Sequence, residues 1–287
     1  MAQGGRRHIA CKNIAMRETA SRIPRVHVDA RLQQGETLAL PANAAHHLSG
    51  VLRQRVGDAL VLFDGAGGEY AARITEIERN RLAVCVGAHH PVERESPLNV
   101  VLLQGISSGE RMDFTVQKAV ELGVSAIVPL ICDKSVVRLS AERATARLAH
   151  WRRVVIAACE QCGRNRLPDV SDPVSVAHYC SRSLHGLASA SSASSASSAA
   201  STASDTQAGT LRLLLSPEAS ISLRDAAQSC GGGVALAVGP ESGFSNDEEA
   251  MLERAGFRPA RIGPRILRTE TAALAALSAL AAVRGDF

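Results

Sequence analysis

The run "LNVVLLQGI" at residues 98–106 carries almost no polar alternation. A strand with one wet face alternates apolar and polar residues, whereas a continuous apolar run suits a strand covered on both faces. Such strands belong to parallel sheets packed between helices. The same signature returns in "SAIVPLI", "LRLLL" and "VALAV", and a shorter last strand is expected at "ARIG". Helical stretches separate them. "DFTVQKAVELG" has Asp113 as a candidate N-cap and Gly123 as its stop, and a long helix near 141–162 ends at Gly163. Ser245 with Glu248 forms a capping box that opens a further helix, stopped at Gly256. The alanine-rich "TETAALAALSALAAV" makes the last helix. Strands alternating with helices specify a parallel α/β domain over residues 98–287.

Residues 22–90 follow another rhythm. "RVHVDA", "ETLALP", "ALVLFDG", "EYAARITEIE" and "RLAVCVGA" have β-type composition and are set apart by Gly, Asp and Asn turn signals; only "ANAAHHLSGVLR" reads as a helix. The spacing fits a small β-barrel. "PVERESP" at 91–97, with a proline at each end, is the expected linker. Residues 1–21 are expected to be a disordered extension, or an over-long start with Met16 as the true first residue. The Ala/Ser-rich stretch over about 187–207 has too few bulky side chains to repay the entropy of ordering, and is expected to be a disordered insertion.

Composition narrows the classes. The 287 residues are 46% hydrophobic and 21% charged, as in a globular protein, with a net charge of +4. The basic residues are mostly arginine, which suits phosphate and planar acidic groups; on charge alone an RNA partner and an ordinary solvated surface are equally good readings. Seven cysteines without framework spacing point to a reducing, cytoplasmic setting. Cys159 and Cys162 form the one C-x-x-C, but no second ligand pair stands at zinc spacing, so no metal is expected and the two thiols read as helical neighbours. No run of roughly 18 apolar residues exists, so no membrane partner is expected.

The chemistry concentrates in three loops that follow apolar strands. They are "SPEAS" after "LRLLL", "GPESGF" after "VALAV", and "GPRILRTET" after "ARI". Ligands of open parallel sheets bind outside the carboxyl ends of the strands. Proline-bearing loops converging there would build a rigid pocket of backbone N–H and C=O groups suited to a flat heterocycle. The helix opening at Ser245 would add a positive dipole end for a carboxylate or phosphate. No G-x-G-x-x-G follows a strand and no P-loop or G-x-S-x-G elbow occurs, which removes Rossmann dinucleotide binding, P-loop ATP hydrolysis and serine hydrolase chemistry.

"VQKAVELGV", "WRRVVIAACEQCGRNRLP", "VGPESGFSNDE" and "IGPRILRTETAALAAL" together resemble the ribosomal RNA small subunit methyltransferase E family, in the SPOUT superfamily. "RIPRVHV" and "HHLSGVLRQRVGDALVLFDG" resemble its N-terminal PUA-like barrel. The resemblance implies a SPOUT-type parallel sheet with a C-terminal trefoil knot, an exception to the rule that chains avoid knots. It implies S-adenosyl-L-methionine as cofactor, surrounded by Leu215, Ser216, Pro217, Gly239, Pro240, Glu241, Gly243, Ile262, Gly263, Leu267 and Thr269. It also implies a homodimer that methylates N3 of one uridine, expected at position 1498, of 16S rRNA in the small ribosomal subunit. The family's loop usually reads "GPEGGF" or "GPEGGL"; here Ser242 stands in place of a glycine, and a positive φ at that position would strain a serine.

Uridine N3 becomes a nucleophile only when its proton leaves. Either Glu270 or Glu241 could accept the proton or balance the sulfonium charge; the expected catalytic pair is Arg268, stabilising the anionic base, and Glu270 as the base, with a structural ion pair at the last helix as the competing reading for Glu270. Expected RNA contacts are Arg25, Arg53, Arg55, Arg111, Lys118, Arg164 and Arg166. The alternatives are a SPOUT enzyme acting on another rRNA or tRNA site, and an RNA-binding PUA protein made inert by Ser242.

Overall fold

The computed structural model describes residues 23–78, 81–135, 140–189, 209–228, 232–284 and 286–287. The expected N-terminal extension and nearly all of the Ala/Ser-rich insertion lie outside the described residues. The chain divides into two compact units, residues 1–95 with 159–167, and residues 96–158 with 168–287.

The first unit holds β1 (Arg25–His27), β2 (Thr37–Ala39), α1 (Ala42–His46), a π-helical turn (His47–Val51), β3 (Ala59–Phe63), β4 (Glu69–Glu78) and β5 (Arg81–His90). The strands form one sheet in the order β1-β3-β4-β5-β2; β1 pairs parallel with β3, and the other pairs are antiparallel. Register shifts between Tyr70/Ala72 and Ile74/Glu76 bend the long β4–β5 ribbon. Leu48, Leu60, Leu62, Ile74, Leu82 and Val84 fill the core beneath it. Each strand sits on a stretch that β-type composition marks out, β5 running two residues further to His90, and the helical segment divides into α1 and the π-turn.

A linear boundary at 91–97 misses one feature. Residues 159–167, "CEQCGRNRL", pack with the first unit. The reason is a buried polar cluster. Arg25 donates to Glu69 Oε2 at 2.5 Å and to Asn165 Oδ1 at 2.6 Å, and its guanidinium lies 5.0 Å from the Phe63 ring centre. Asn165 donates to the Val92 carbonyl at 2.6 Å, and Arg164 pairs with Glu95. Charges this deeply placed persist only when paired, so the segment is tied down by the partners it satisfies.

The second unit runs β6 (Val100–Gly105), α2 (Glu110–Glu121), β7 (Ala126–Ile131), α3 (Ala141–Cys162, whose last turn counts with the first unit), β8 (Asp169–Val170), β9 (Val174–Ser175), α4 (Val176–Ser189), β10 (Leu211–Leu215), α5 (Leu223–Gln228), β11 (Val234–Val238), α6 (Asn246–Arg254), β12 (Arg258–Ala260) and α7 (Thr269–Arg284). The sheet order is β12-β10-β11-β6-β7-β8, parallel throughout, with β9 also pairing β7. β11 is buried along its whole length, as its unbroken apolar sequence requires. Three local expectations shift. α2 starts at Glu110 after Gly109 (φ 51), so Asp113 lies inside the first turn and pairs with His150 at 2.8 Å instead of capping. β12 starts two residues before the "ARIG" stretch that carries the strand expectation and ends on its first residue, because Arg258–Ala260 is the part that pairs β10. α4 continues through Ser189 into the Ala/Ser stretch, since alanine is the best helix former. Cys159 and Cys162 occupy the last turn of α3 as free thiols, and burial pushes the Cys159 thiol up to about 12. Among the described residues no helix is long and apolar enough to cross a membrane.

Candidate functional site

β10, β11 and β12 are adjacent and parallel, so their carboxyl ends open on the same edge of the sheet. The loops leaving them converge there. A cavity of about 430 Å³ lies among them, within the usual size of small-molecule sites. Leu215, Ser216 and Pro217 from the first loop line it, with Gly239, Pro240, Glu241 and Gly243 from the second, and Ile262, Gly263, Leu267 and Thr269 from the third. Every residue expected at the cofactor is thus on one cavity wall. Arg268 and Glu270, expected at the reacting base, line it too. So does Arg111, which the sequence places only among the RNA contacts. Val238, Ala260, Arg265, Ile266 and Ala272 complete the wall, and none of them is expected from the sequence as a cofactor or catalytic residue. A second, open groove of about 760 Å³ runs along α2, α3 and the start of α7, lined by Asp113, Phe114, Gln117, Val154, Ala157 and Thr271 among others. Arg111, Arg268 and Glu270 belong to both walls.

The central loop "GPESGF" is fixed from several sides. The Gly243 N–H donates to the Pro240 carbonyl at 2.9 Å, closing a turn with Glu241 and Ser242 at its corners. Gly243 takes φ +70, while among the described residues Arg53 alone is a non-glycine with positive φ. Ser242 therefore needs no left-handed backbone, and its replacement of glycine is unstrained. This removes the basis for an inert reading. Gly239 sits so near Gly243 and Phe244 that a Cβ would meet their backbone at 3.0 Å. Gly105, at the end of β6, faces the same loop. A Cβ there would lie 2.6 Å from Pro240 Cδ and 2.8 Å from the Gly239 carbonyl carbon.

The Glu241 carboxylate answers why an acid stands in so sharp a bend. Its Oε1 accepts from the Ser108 N–H and hydroxyl, both at 2.9 Å, and from Arg111 at 3.1 Å. Burial alone would raise its pKa, but the hydrogen bonds from Ser108, from its own N–H and from Arg111 hold it below the ordinary carboxylate range. Glu241 is a fixed anion that joins the loop to the start of α2. Glu270 differs: its Oε2 is buried without a hydrogen-bond partner, in the wall that both cavities share. The start of α6 is not at the cavity. Its capping box is complete, Asp247, Glu248 and Glu249 crowd its first turn, and Asp133 lies 3.2 Å from the Ser245 hydroxyl. That positive end is already answered by carboxylates, so the expectation of an anion there is corrected. The helix that begins at the cavity is α7.

The expected RNA contacts separate into two groups. Arg53 and Arg55 are exposed beyond the π-turn, and Arg53 takes φ 55 at a cost of about 1–2 kcal/mol. Arg111 and Arg166 are exposed and Lys118 partly so, with Glu241, Glu93 and Glu121 as respective partners. Arg25 and Arg164 belong elsewhere. Both are held inside the polar cluster of the first unit, with side chains only 8% and 6% exposed. Their guanidiniums are spent on Glu69, Asn165 and Glu95, so assigning them to phosphate is corrected. Two site-supporting residues escape sequence reasoning, Gln104 and Ser108. The signal for Gln104 is a lone amide at the end of a run otherwise apolar.

Residues 94–281 match the model of the RNA methyltransferase domain family, and residues 40–84 that of the RNA methyltransferase PUA domain. A ribosomal RNA small subunit methyltransferase E from Buchnera aphidicola subsp. Schizaphis graminum is 32% identical over 92% of this chain and 98% of its own. The crystal structure of a ribosomal RNA small subunit methyltransferase E from Neisseria gonorrhoeae, bound to S-adenosyl methionine, is 37% identical. It covers 91% of this chain and 98% of that one with a TM-score of 0.76. A protein from Legionella pneumophila described as a methyltransferase, in complex with bound SAM, is 36% identical at the same coverage with a TM-score of 0.79.

Proposed function

The chain belongs to the ribosomal RNA small subunit methyltransferase E family, and on that premise we propose that it methylates N3 of a uridine in 16S rRNA, the nucleotide at position 1498, using S-adenosyl-L-methionine. One observation carries the reading: the residues that the resemblance assigns to the cofactor, from three loops far apart in sequence, line a single cavity. The residues fit such a donor. Backbone carbonyl and N–H groups of the Leu215–Pro217, Gly239–Gly243 and Ile262–Thr269 segments suit the edge of a purine, and the apolar Leu215, Ile262 and Leu267 suit its faces. When bound, the donor supplies a methyl carbon on a positively charged sulfur.

The protein's own groups do the rest. Glu270, with an unpartnered carboxylate oxygen in the shared wall, takes the N3 proton. Arg268, from the same wall, faces the oxygen on which the resulting negative charge gathers and lowers its cost. Glu241 is hydrogen-bonded and held ionised, so it fixes the loop and leaves proton transfer to Glu270. Exposed Arg53 and Arg55 bind RNA phosphates. A trefoil knot formed by the segment from β12 to α7, closure of the first-unit sheet into a PUA-like barrel, and a homodimer belong to the same proposal. Phe114 and Ile266, 46% and 84% exposed beside the two cavities, are apolar surface that a second copy would cover.

The test is small-subunit methylation with labelled donor, followed by mapping of the modified nucleoside, for the wild type, Arg268→Ala and Glu270→Gln. Each variant is expected to lose about 10²–10⁴-fold in turnover while keeping donor affinity by calorimetry. Near-normal turnover in both would overturn the mechanism, and a modified nucleoside other than N3-methyluridine would overturn the specificity.

A further inference from the structure

Gln104 lies at the end of β6, fully buried, and does not line the cavity. Its Nε2 donates to the Gly105 carbonyl at 3.1 Å and to the Thr269 hydroxyl at 2.9 Å, and that hydroxyl lies 2.6 Å from the Gly239 carbonyl. The direction of this chain is fixed. Turning the amide over would set its oxygen against the Gly105 carbonyl, so the NH₂ end must face Thr269. Thr269 Oγ1 then accepts from Gln104, and its one proton goes to Gly239. Gln104 Oε1 is left buried without a partner. An apolar side chain of the same size would avoid that cost, so the amide is worth keeping only for its donor hydrogens.

We infer that Gln104 is a positioning residue for donor binding: its amide orients the Thr269 hydroxyl and so ties the Gly239 loop to the start of α7, holding two walls of the cavity in register. The inference rests on the proposed function only for the identity of the ligand. Thr269 opens α7, Gly239 opens the central loop, and Gln104, on a strand between β11 and β7, holds the hydroxyl that bridges them. Gly105 next to it carries no Cβ, which is what lets the loop approach β6 this closely. Relaxing the tie lets the two loops move apart without touching any residue on the cavity wall.

The experiment measures S-adenosyl-L-methionine affinity by calorimetry and amide hydrogen exchange of the donor-free protein, for the wild type, Gln104→Met, Gln104→Glu, Thr269→Val and the Gln104→Met/Thr269→Val pair. Gln104→Met is expected to weaken binding roughly tenfold or more. It also speeds exchange at residues 239–244 and leaves β7 unchanged. Gln104→Glu cannot donate while ionised but donates once protonated, so its affinity should recover towards wild type as the pH falls, a profile that mere loss of packing does not give. The double variant should bind no worse than Thr269→Val alone. Wild-type affinity and exchange in Gln104→Met, a flat pH profile in Gln104→Glu, or additive effects in the pair would overturn the inference. Failure of the wild type to bind the donor would sink the proposed function instead, while the exchange comparison would still decide the role of Gln104.

Discussion

Replacing Gly105 by alanine is the sharpest test of how the cavity is built. The added Cβ would lie 2.6 Å from Pro240 Cδ and 2.8 Å from the Gly239 carbonyl carbon, and closer still to Pro240 N. Favourable carbon contacts begin near about 3.5 Å, so the loop must retreat by roughly 1 Å. The obstacle is backbone and a proline ring, so no rotamer change relieves it. Overpacking of this kind costs about 1–3 kcal/mol, and at about 2–4 °C per kcal/mol for a domain of this size the melting temperature should fall by a few degrees to about 10 °C. The larger effect is on chemistry, because a displacement of about 1 Å in a positioning element costs on the order of 10²-fold in rate. Gly57→Ala is the contrasting case: Gly57, unlike Gly105, has positive φ (+95), and no atom lies within 4 Å of its Cβ, so the substitution brings backbone strain without a clash and keeps donor affinity. Thermal melts, calorimetry with the donor and single-turnover methylation read out all three quantities. A Gly105→Ala protein with wild-type donor affinity would refute the contention that this close approach shapes the cavity.

Reversing the charge of both Arg53 and Arg55 should weaken small-subunit binding, lower the slope of log affinity against log salt by about two, and leave donor affinity untouched; filter binding across a salt series checks this. Glu69 accepts from Arg25, Arg94 and Asn165; burial alone would raise its pKa, but these hydrogen bonds, Arg25's above all, hold it below the ordinary carboxylate value. A lowered folded pKa means stabilisation present above the unfolded value and lost as pH falls through the folded one. Glu69→Gln should therefore cost about 3 kcal/mol in neutral denaturant titrations, with the difference from wild type shrinking below about pH 4.5.

Strand identity was legible wherever burial is two-sided, because β11 leaves nothing but apolar residues in its run, β10 has only Arg212 among leucines, and both bounds agree with the sequence. The capping box at Ser245 is equally local, since a hydroxyl and a carboxylate three residues apart suffice to make it. The grouping of the three loops followed from strand order in a parallel sheet together with the family resemblance. What escaped is what depends on distant partners. Arg25 and Arg164 look like any other arginine along the chain, and only the carboxylates of Glu69 and Glu95, brought in from elsewhere, make them structural. Asp113 has the composition of a cap and loses that place because Gly109 starts the helix a turn earlier. Gln104 gains its meaning from a threonine 165 positions further on.

That last separation has a consequence for biosynthesis. The walls tied together by Gln104 and Thr269, and by Ser108 and Glu241, come from opposite ends of the second unit. Chains emerge at about 5–20 residues per second, and contacts across such long intervals form late. A nascent polypeptide halted before Thr269 has β6, β10 and β11 but no closed cradle. Methylating capacity therefore appears only with the final helix, and an incomplete translation product would be silent, unable to sequester the methyl donor or modify a ribosome.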